Sequence, residues 1–212
     1  MEDPWRECTR VPGSFLDCLK RREPAVLQNR TNVARRRGLD LILRLANRDS
    51  VVLHDSINDA PGAIEYWLQD VHDDPGYFMV GFHGYETRGS ILISTRDGWR
   101  KEFPFNFPVF SSDGHLVALT IPVGTAYWDP AIDIYAVSSD TLIQELSVDP
   151  TSGLTFFVRG DTLWGPDNPQ WVGHDLHFTT EWTFLRNQRD DFPGRAMILA
   201  NLDGRWMLRD EK

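Results

Sequence analysis

The side chains with chemical reach in this chain are two cysteines, six histidines and 31 carboxylates. Cys8 and Cys18 stand ten positions apart, a spacing that suits a small disulfide loop contributing about 2–3 kcal/mol and that matches no zinc-ligand pair. If the two are bonded, the chain belongs in an oxidising compartment, periplasmic or secreted; if they are free thiols, a cytoplasmic location is expected. No apolar leader precedes Cys8, so an exported form is expected to start after a removed signal. His174 and His177 are the closest histidine pair, but residues three apart at the entry to a strand do not converge, and no metal role is expected for them. The Asp70, Asp73 and Asp74 cluster lacks the residue order of a calcium loop and reads as a solvated turn. No Gly-x-Ser-x-Gly elbow, phosphate loop, dinucleotide fingerprint or His-Glu-x-x-His run occurs, so neither a cofactor nor a motif-based activity is expected. Carboxylate pairs for glycoside chemistry remain open, because 31 acids offer many of them.

The aromatic residues are more suggestive. Tyr127, Trp128 and Asp129 precede Pro130, and Trp164 and Asp167 fall in the run Trp164-Gly-Pro-Asp-Asn-Pro, both in loop-like sequence. Loops on a β scaffold are where binding residues concentrate, and Trp and Tyr are favoured anchors. Tyr127, Trp128, Asp129, Trp164 and Asp167 are therefore the candidate binding residues. The competing reading has these tryptophans filling the space between sheets.

Composition narrows the partner. With 22 basic against 31 acidic residues the net charge is −9, which repels phosphate and disfavours nucleic acid. The same charge favours a protein with a basic surface. No apolar run is long enough to span a membrane. The charge is uneven, since residues 1–40 hold nine basic and six acidic side chains. The run Arg35-Arg36-Arg37 could touch nucleic acid or anionic lipid, or be a solvated strand end docked on the chain's own acidic body. Residues 1–38 read as a basic N-terminal extension and 39–212 as the folded domain.

Four segments of that domain share one layout, two strand-like runs around a polar turn: Leu41–Asp55, Ser90–Phe103, Ile132–Leu146 and Ala196–Asp210. Asp-Gly between alternating apolar residues, as at Asp97-Gly98 and Asp203-Gly204, is among the strongest hairpin signals. One short helix is expected near 63–71, where apolar residues stand at 63, 64, 67, 68 and 71. The expected class is all-β, a meander of antiparallel hairpins.

A second repeated element refines this. Pro108-Val-Phe-Ser-Ser-Asp-Gly-His-Leu-Val-Ala-Leu-Thr120 resembles the inner-strand signature of TolB-like and WD-repeat β-propellers, with Ser112 where proline is usual. Pro169–Thr179 keeps the proline and aromatic of that signature without its Asp-Gly, and Asp133-Ile-Tyr-Ala-Val137 resembles the strand that follows in TolB-like blades. The resemblance implies a small, irregular or incomplete β-propeller-like domain and, since such propellers are mostly binding scaffolds, a binding role. Two functions are then expected to compete. One is a non-catalytic protein-binding module of the bacterial cell envelope, for example an inhibitor or immunity protein. The other is a glycan-acting hydrolase or lyase whose carboxylates and aromatics line a cleft.

Overall fold

The computed structural model describes residues 15–56, 62–84, 87–104, 108–111, 115–120, 132–138, 141–148, 158–159, 162–183, 196–202 and 204–211, with 15, 16, 19, 119, 120, 158, 159, 162–168 and 180–183 described by their backbone alone. The chain divides into two compact units, Met1–Phe105 and Asn106–Lys212. Among the described residues the fold is all-β with one short helix, built from four antiparallel sheets and no closed barrel.

The first unit holds helix α1 (Phe15–Asn29), a three-stranded sheet of β1 (Ala34–Arg37), β2 (Asp40–Arg44) and β3 (Ser50–His54), and a four-stranded sheet of β4 (Ile64–His72), β5 (Tyr77–Gly84), β6 (Arg88–Ser94) and β7 (Arg100–Pro104). Strand alternation turns Leu41, Leu43 and Leu53 of the first sheet inward, and they share one core with Leu68, Val71, Phe78, Val80, Ile91 and Ile93 of the second. Val26 and Leu27 of α1 pack against the same core. The second sheet also hides residues of its other face, with Trp67, Leu92, Ser90 and Ser94 at 1% exposure or less.

In the second unit, β8 (Val109–Phe110), β9 (Leu116–Thr120), β10 (Ile132–Val137) and β11 (Leu142–Val148) form one sequential sheet, while β12 (Val158–Arg159), β13 (Thr162–Val172), β14 (Asp175–Thr183), β15 (Ala196–Leu202) and β16 (Arg205–Asp210) form another. Leu116, Ala118, Ile132 and Ile134 share a core with Leu176, Phe178, Met197 and Leu199. Every sheet runs in strict sequence order, so each strand pairs with its neighbours along the chain.

All four expected hairpins are present, as β2–β3, β6–β7, β10–β11 and β15–β16. Their turns use the chemistry the sequence advertised. Gly98 has φ +77°, a conformation a side chain resists, while the Asp97 carboxylate accepts the Trp99 N–H at 3.1 Å. That bond, with a second from the Ser94 hydroxyl, holds the Asp97 pKa below the usual carboxylate value. The segment Pro108–Thr120 forms the β8–β9 pairing and Pro169–Thr179 the end of the β13–β14 hairpin.

One expectation on local structure is corrected. Residues 63–71 are not a helix: strand β4 covers Ile64–His72 and pairs with β5 from Ile64↔Gly84 to His72↔Tyr77. The helix lies instead at Phe15–Asn29, inside the stretch read as an extension. The expected boundary at 38/39 falls in the turn of the β1–β2 hairpin, where Arg37 pairs with Asp40, and the two compact units divide at 105/106.

Candidate functional site

Of the candidate binding residues, Tyr127, Trp128 and Asp129 lie outside the described residues. Trp164 and Asp167 lie in strand β13, not in a loop: Trp164 pairs with Trp182 and Asp167 with Thr179, and the register shifts between Asp167 and Gln170. The prolines that suggested a loop are accommodated there for a physical reason. Strand β12 covers only Thr162 and Leu163, so beyond them β13 has one neighbour among the described residues, and an edge or a bulge tolerates a residue without a donor N–H.

The tryptophans whose side chains are described divide between core and surface. Trp67 is buried and Trp99 is 37% exposed on the β6–β7 turn. Trp171 donates its indole N–H to the Val109 carbonyl at 2.7 Å and meets Trp206 edge-on, with ring centroids 6.2 Å apart at 61°. Trp171 and Trp206 both pack on the core of the second unit. Such edge contacts add about 0.5–1.5 kcal/mol beyond area burial. These two rings pack on the core shared by the β8–β11 and β12–β16 sheets and are structural.

The charged residues of the first unit are arranged around α1. Arg36, on the inward face of β1, reaches Glu23 through Nε at 2.8 Å and Nη2 at 2.9 Å, and Asp55 through Nη1 at 2.8 Å. Its Nη2 also donates to the Tyr66 carbonyl. Glu23 Oε1 accepts the Leu68 N–H and Asp55 Oδ1 the Tyr66 N–H, each at 2.8 Å. Helix, first sheet and second sheet are thereby tied through one guanidinium. Burial works against the Arg36 charge, but hydrogen bonds and attraction from Glu23 and Asp55 outweigh it and raise its pKa above the ordinary value.

Two further cations fasten the same layer. Lys20 on α1 pairs with Glu65 and stands 5.9 Å from the centre of the Trp67 ring. Arg30 bonds Asp73 at 2.7 Å and the Val71 carbonyl at 3.0 Å. The acidic turn at Asp70–Asp74 therefore serves as an anchor for the residue after the helix. In the second unit, Asp175 accepts the Asn201 N–H at 3.2 Å and lies 3.4 Å from Arg209, while His177 Nδ1 is 3.0 Å from Glu211. Among the described residues, no group of three or more His, Cys, Asp or Glu converges as a metal site. No helix among them is long and apolar enough to cross a membrane.

Cys18 is 8% exposed on α1 and is disulfide-bonded. Cys8, the chain's other cysteine, lies outside the described residues.

Residues 35–37 were legible as a basic cluster but not as a divided one. The period of two in a strand turns Arg36 toward Glu23 and leaves Arg35 and Arg37 exposed on the opposite face, and that period was the signal available in the sequence. Comparisons with protein-family models, with curated proteins and with solved structures found no match.

Proposed function

We propose that this chain is a non-catalytic protein-binding module of the bacterial cell envelope, acting as an inhibitor or immunity protein, and that its sheets are blades of a small, irregular propeller. The observation that carries the binding role is how five of the 31 carboxylates are used: Glu23, Asp55, Glu65, Asp73 and Asp175 each pair with a cation on another element. A glycosidase needs two carboxylates facing one bond, and these five face Arg or Lys instead. Two observations support the rest. The bonded Cys18 suits an oxidising envelope compartment. Each sheet, taken singly, has the sequential strand order of a blade.

The binding face is assigned to the segments holding Tyr127, Trp128, Asp129, Trp164 and Asp167, with the two acids steering a basic partner. A pull-down from the source organism, followed by binding kinetics on Trp128→Ala and Asp129→Asn, tests this. A stoichiometric protein partner is expected, with Trp128→Ala weakening the complex by about 2 kcal/mol or more and Asp129→Asn mainly slowing association. Glycan cleavage by the purified chain, or unfolding of Trp128→Ala, overturns it.

A further inference from the structure

The face of the three-stranded sheet opposite its core is open, and it is basic around an apolar centre. Its residues follow from register. Arg35, Ile42 and Val52 are successive partners across β1, β2 and β3, with neighbouring strands about 4.8 Å apart. Arg37, Asp40 and His54 form the next row and Arg44 with Ser50 the one on the other side. Val52 is 54% exposed, Leu39 in the β1–β2 turn is 39% exposed, and Arg35, Arg37 and Arg44 are exposed around them. The one acid on the face, Asp40, bonds His54 at 2.6 Å. No described acid pairs with Arg35, Arg37 or Arg44, although the chain has a surplus of nine negative charges and Arg36 between them takes two carboxylates.

We infer that this face docks an acidic protein segment carrying apolar side chains. Charge complementarity selects the partner, because three unpaired guanidiniums gain most from carboxylates, which they bind in a two-point fork. The apolar centre selects protein over the other polyanions. A nucleic-acid backbone gives nothing for an exposed valine to bury against, and no aromatic ring stands on the face for a base to stack on. An anionic bilayer would require Val52 and Ile42 to reach below the headgroups, yet they are shorter than the arginines beside them. An apolar centre with a charged rim is the anatomy of a protein interface. This face belongs to the first unit and has the opposite sign to the segments around Trp128 and Trp164, so it shares only the premise of protein binding with the function proposed above.

The test uses the full chain and a labelled short peptide of glutamate and leucine, beside a lysine–leucine peptide, a single-stranded oligothymidylate and phosphatidylglycerol vesicles. The expected result is saturable binding of the glutamate–leucine peptide that falls as salt rises. Charge reversal in Arg35→Glu/Arg37→Glu/Arg44→Glu should weaken it at least about tenfold, and Val52→Ser should weaken it without changing its salt dependence. Arg205→Glu, which reverses an exposed charge in the second unit, should leave binding within about twofold. All four altered residues on the face are exposed, so folding should persist; if the charge reversal disturbs it, the triple glutamine variant replaces it in the same comparison. Absence of binding, equal loss in Arg205→Glu, preference for the oligonucleotide or the vesicles, or self-association of the chain through this face would each overturn the inference. None of those results bears on the Trp128 test, so the two readings can fail separately.

Discussion

Arg36 and Glu23 meet in a two-point contact, Nε and Nη2 of the guanidinium each on one carboxylate oxygen, with Glu23 8% exposed. Because Glu23 Oε1 also receives the Leu68 N–H, the pair joins α1 to β4 as well as to β1. Glu23→Ala would leave a half-buried guanidinium and a backbone donor without this acceptor, and we expect a loss of about 2–4 kcal/mol in chemical denaturation. Arg36→Lys should fare little better, since an ammonium cannot span Glu23, Asp55 and the Tyr66 carbonyl together. A loss below about 0.5 kcal/mol for Glu23→Ala, the level of an ordinary surface change, would show that the knot does not hold the helix.

Gly81 and Trp67 give a steric prediction. A Cβ added at Gly81 would come within 2.3 Å of the Trp67 ring, a large side chain that is only 1% exposed. Gly81→Ala should therefore destabilise the first unit by about 1–3 kcal/mol, read by thermal unfolding followed through tryptophan fluorescence. Adding Trp67→Phe should recover part of the loss. The smaller ring clears the new methyl group, and the indole N–H it removes is buried without a hydrogen-bond partner. If the double variant is as unstable as the two losses added together, the contact between positions 67 and 81 is not the cause.

The same strand shows what could be read in advance. The apolar positions 64, 67, 68 and 71 look helical because β4 buries side chains on both faces and its register shifts between Leu68 and Asp70. Leu68 and Val71 consequently reach the same core at a spacing of three, as they would on a helix. Double-sided burial and a bulge are set by tertiary packing, and neither leaves a local mark that separates it from a period of 3.6. The four hairpins were legible because their information is local: residues such as Gly98 and Gly204 supply the positive φ their turns require. Helix α1 was hidden by Pro24 and by its charges, Lys20 and Glu23 among them, whose partners Glu65 and Arg36 are remote in sequence or lie on another element. For the site, the sequence located the basic cluster but not its inward face. The period of two sets Arg36 apart from Arg35 and Arg37, and the pairing Arg36↔Leu41 with a buried leucine shows which of the two faces turns inward.

The bonded Cys18 leads to a compartment test. Its side chain is buried on α1, so a cross-link there restrains the end of the helix nearest the N-terminus. We expect the partner to be Cys8, the chain's other cysteine, and intact-mass analysis after alkylation should find no free thiol until reductant is added. Reduction should lower stability by about 2–3 kcal/mol, as expected for closing a loop of this length. Two alkylated thiols in the unreduced protein would remove the support for an envelope location.

His72 gives the chain a predicted acid sensitivity. Burial lowers its pKa below the ordinary value; Asp70 and Asp73 oppose that shift, and Arg30 reinforces it. His83 is shifted in the same direction, by burial and then by Lys20 and Arg88, but it is more open and its effect should be smaller. A histidine whose folded pKa lies below its unfolded value takes up its proton more readily when the chain unfolds. Its neutral form is fully compatible with the fold above the unfolded pKa of about 6.5, and stability falls as pH drops below that value until the folded pKa is reached. For one group the slope is at most about 1.4 kcal/mol per pH unit. Urea unfolding between about pH 7.5 and 5 should therefore show a declining midpoint, and His72→Gln should flatten most of the decline in that window. Carboxylates dominate at lower pH, so the comparison is confined to that range. A His72→Gln variant that keeps the full slope would assign the acid sensitivity to groups other than this one.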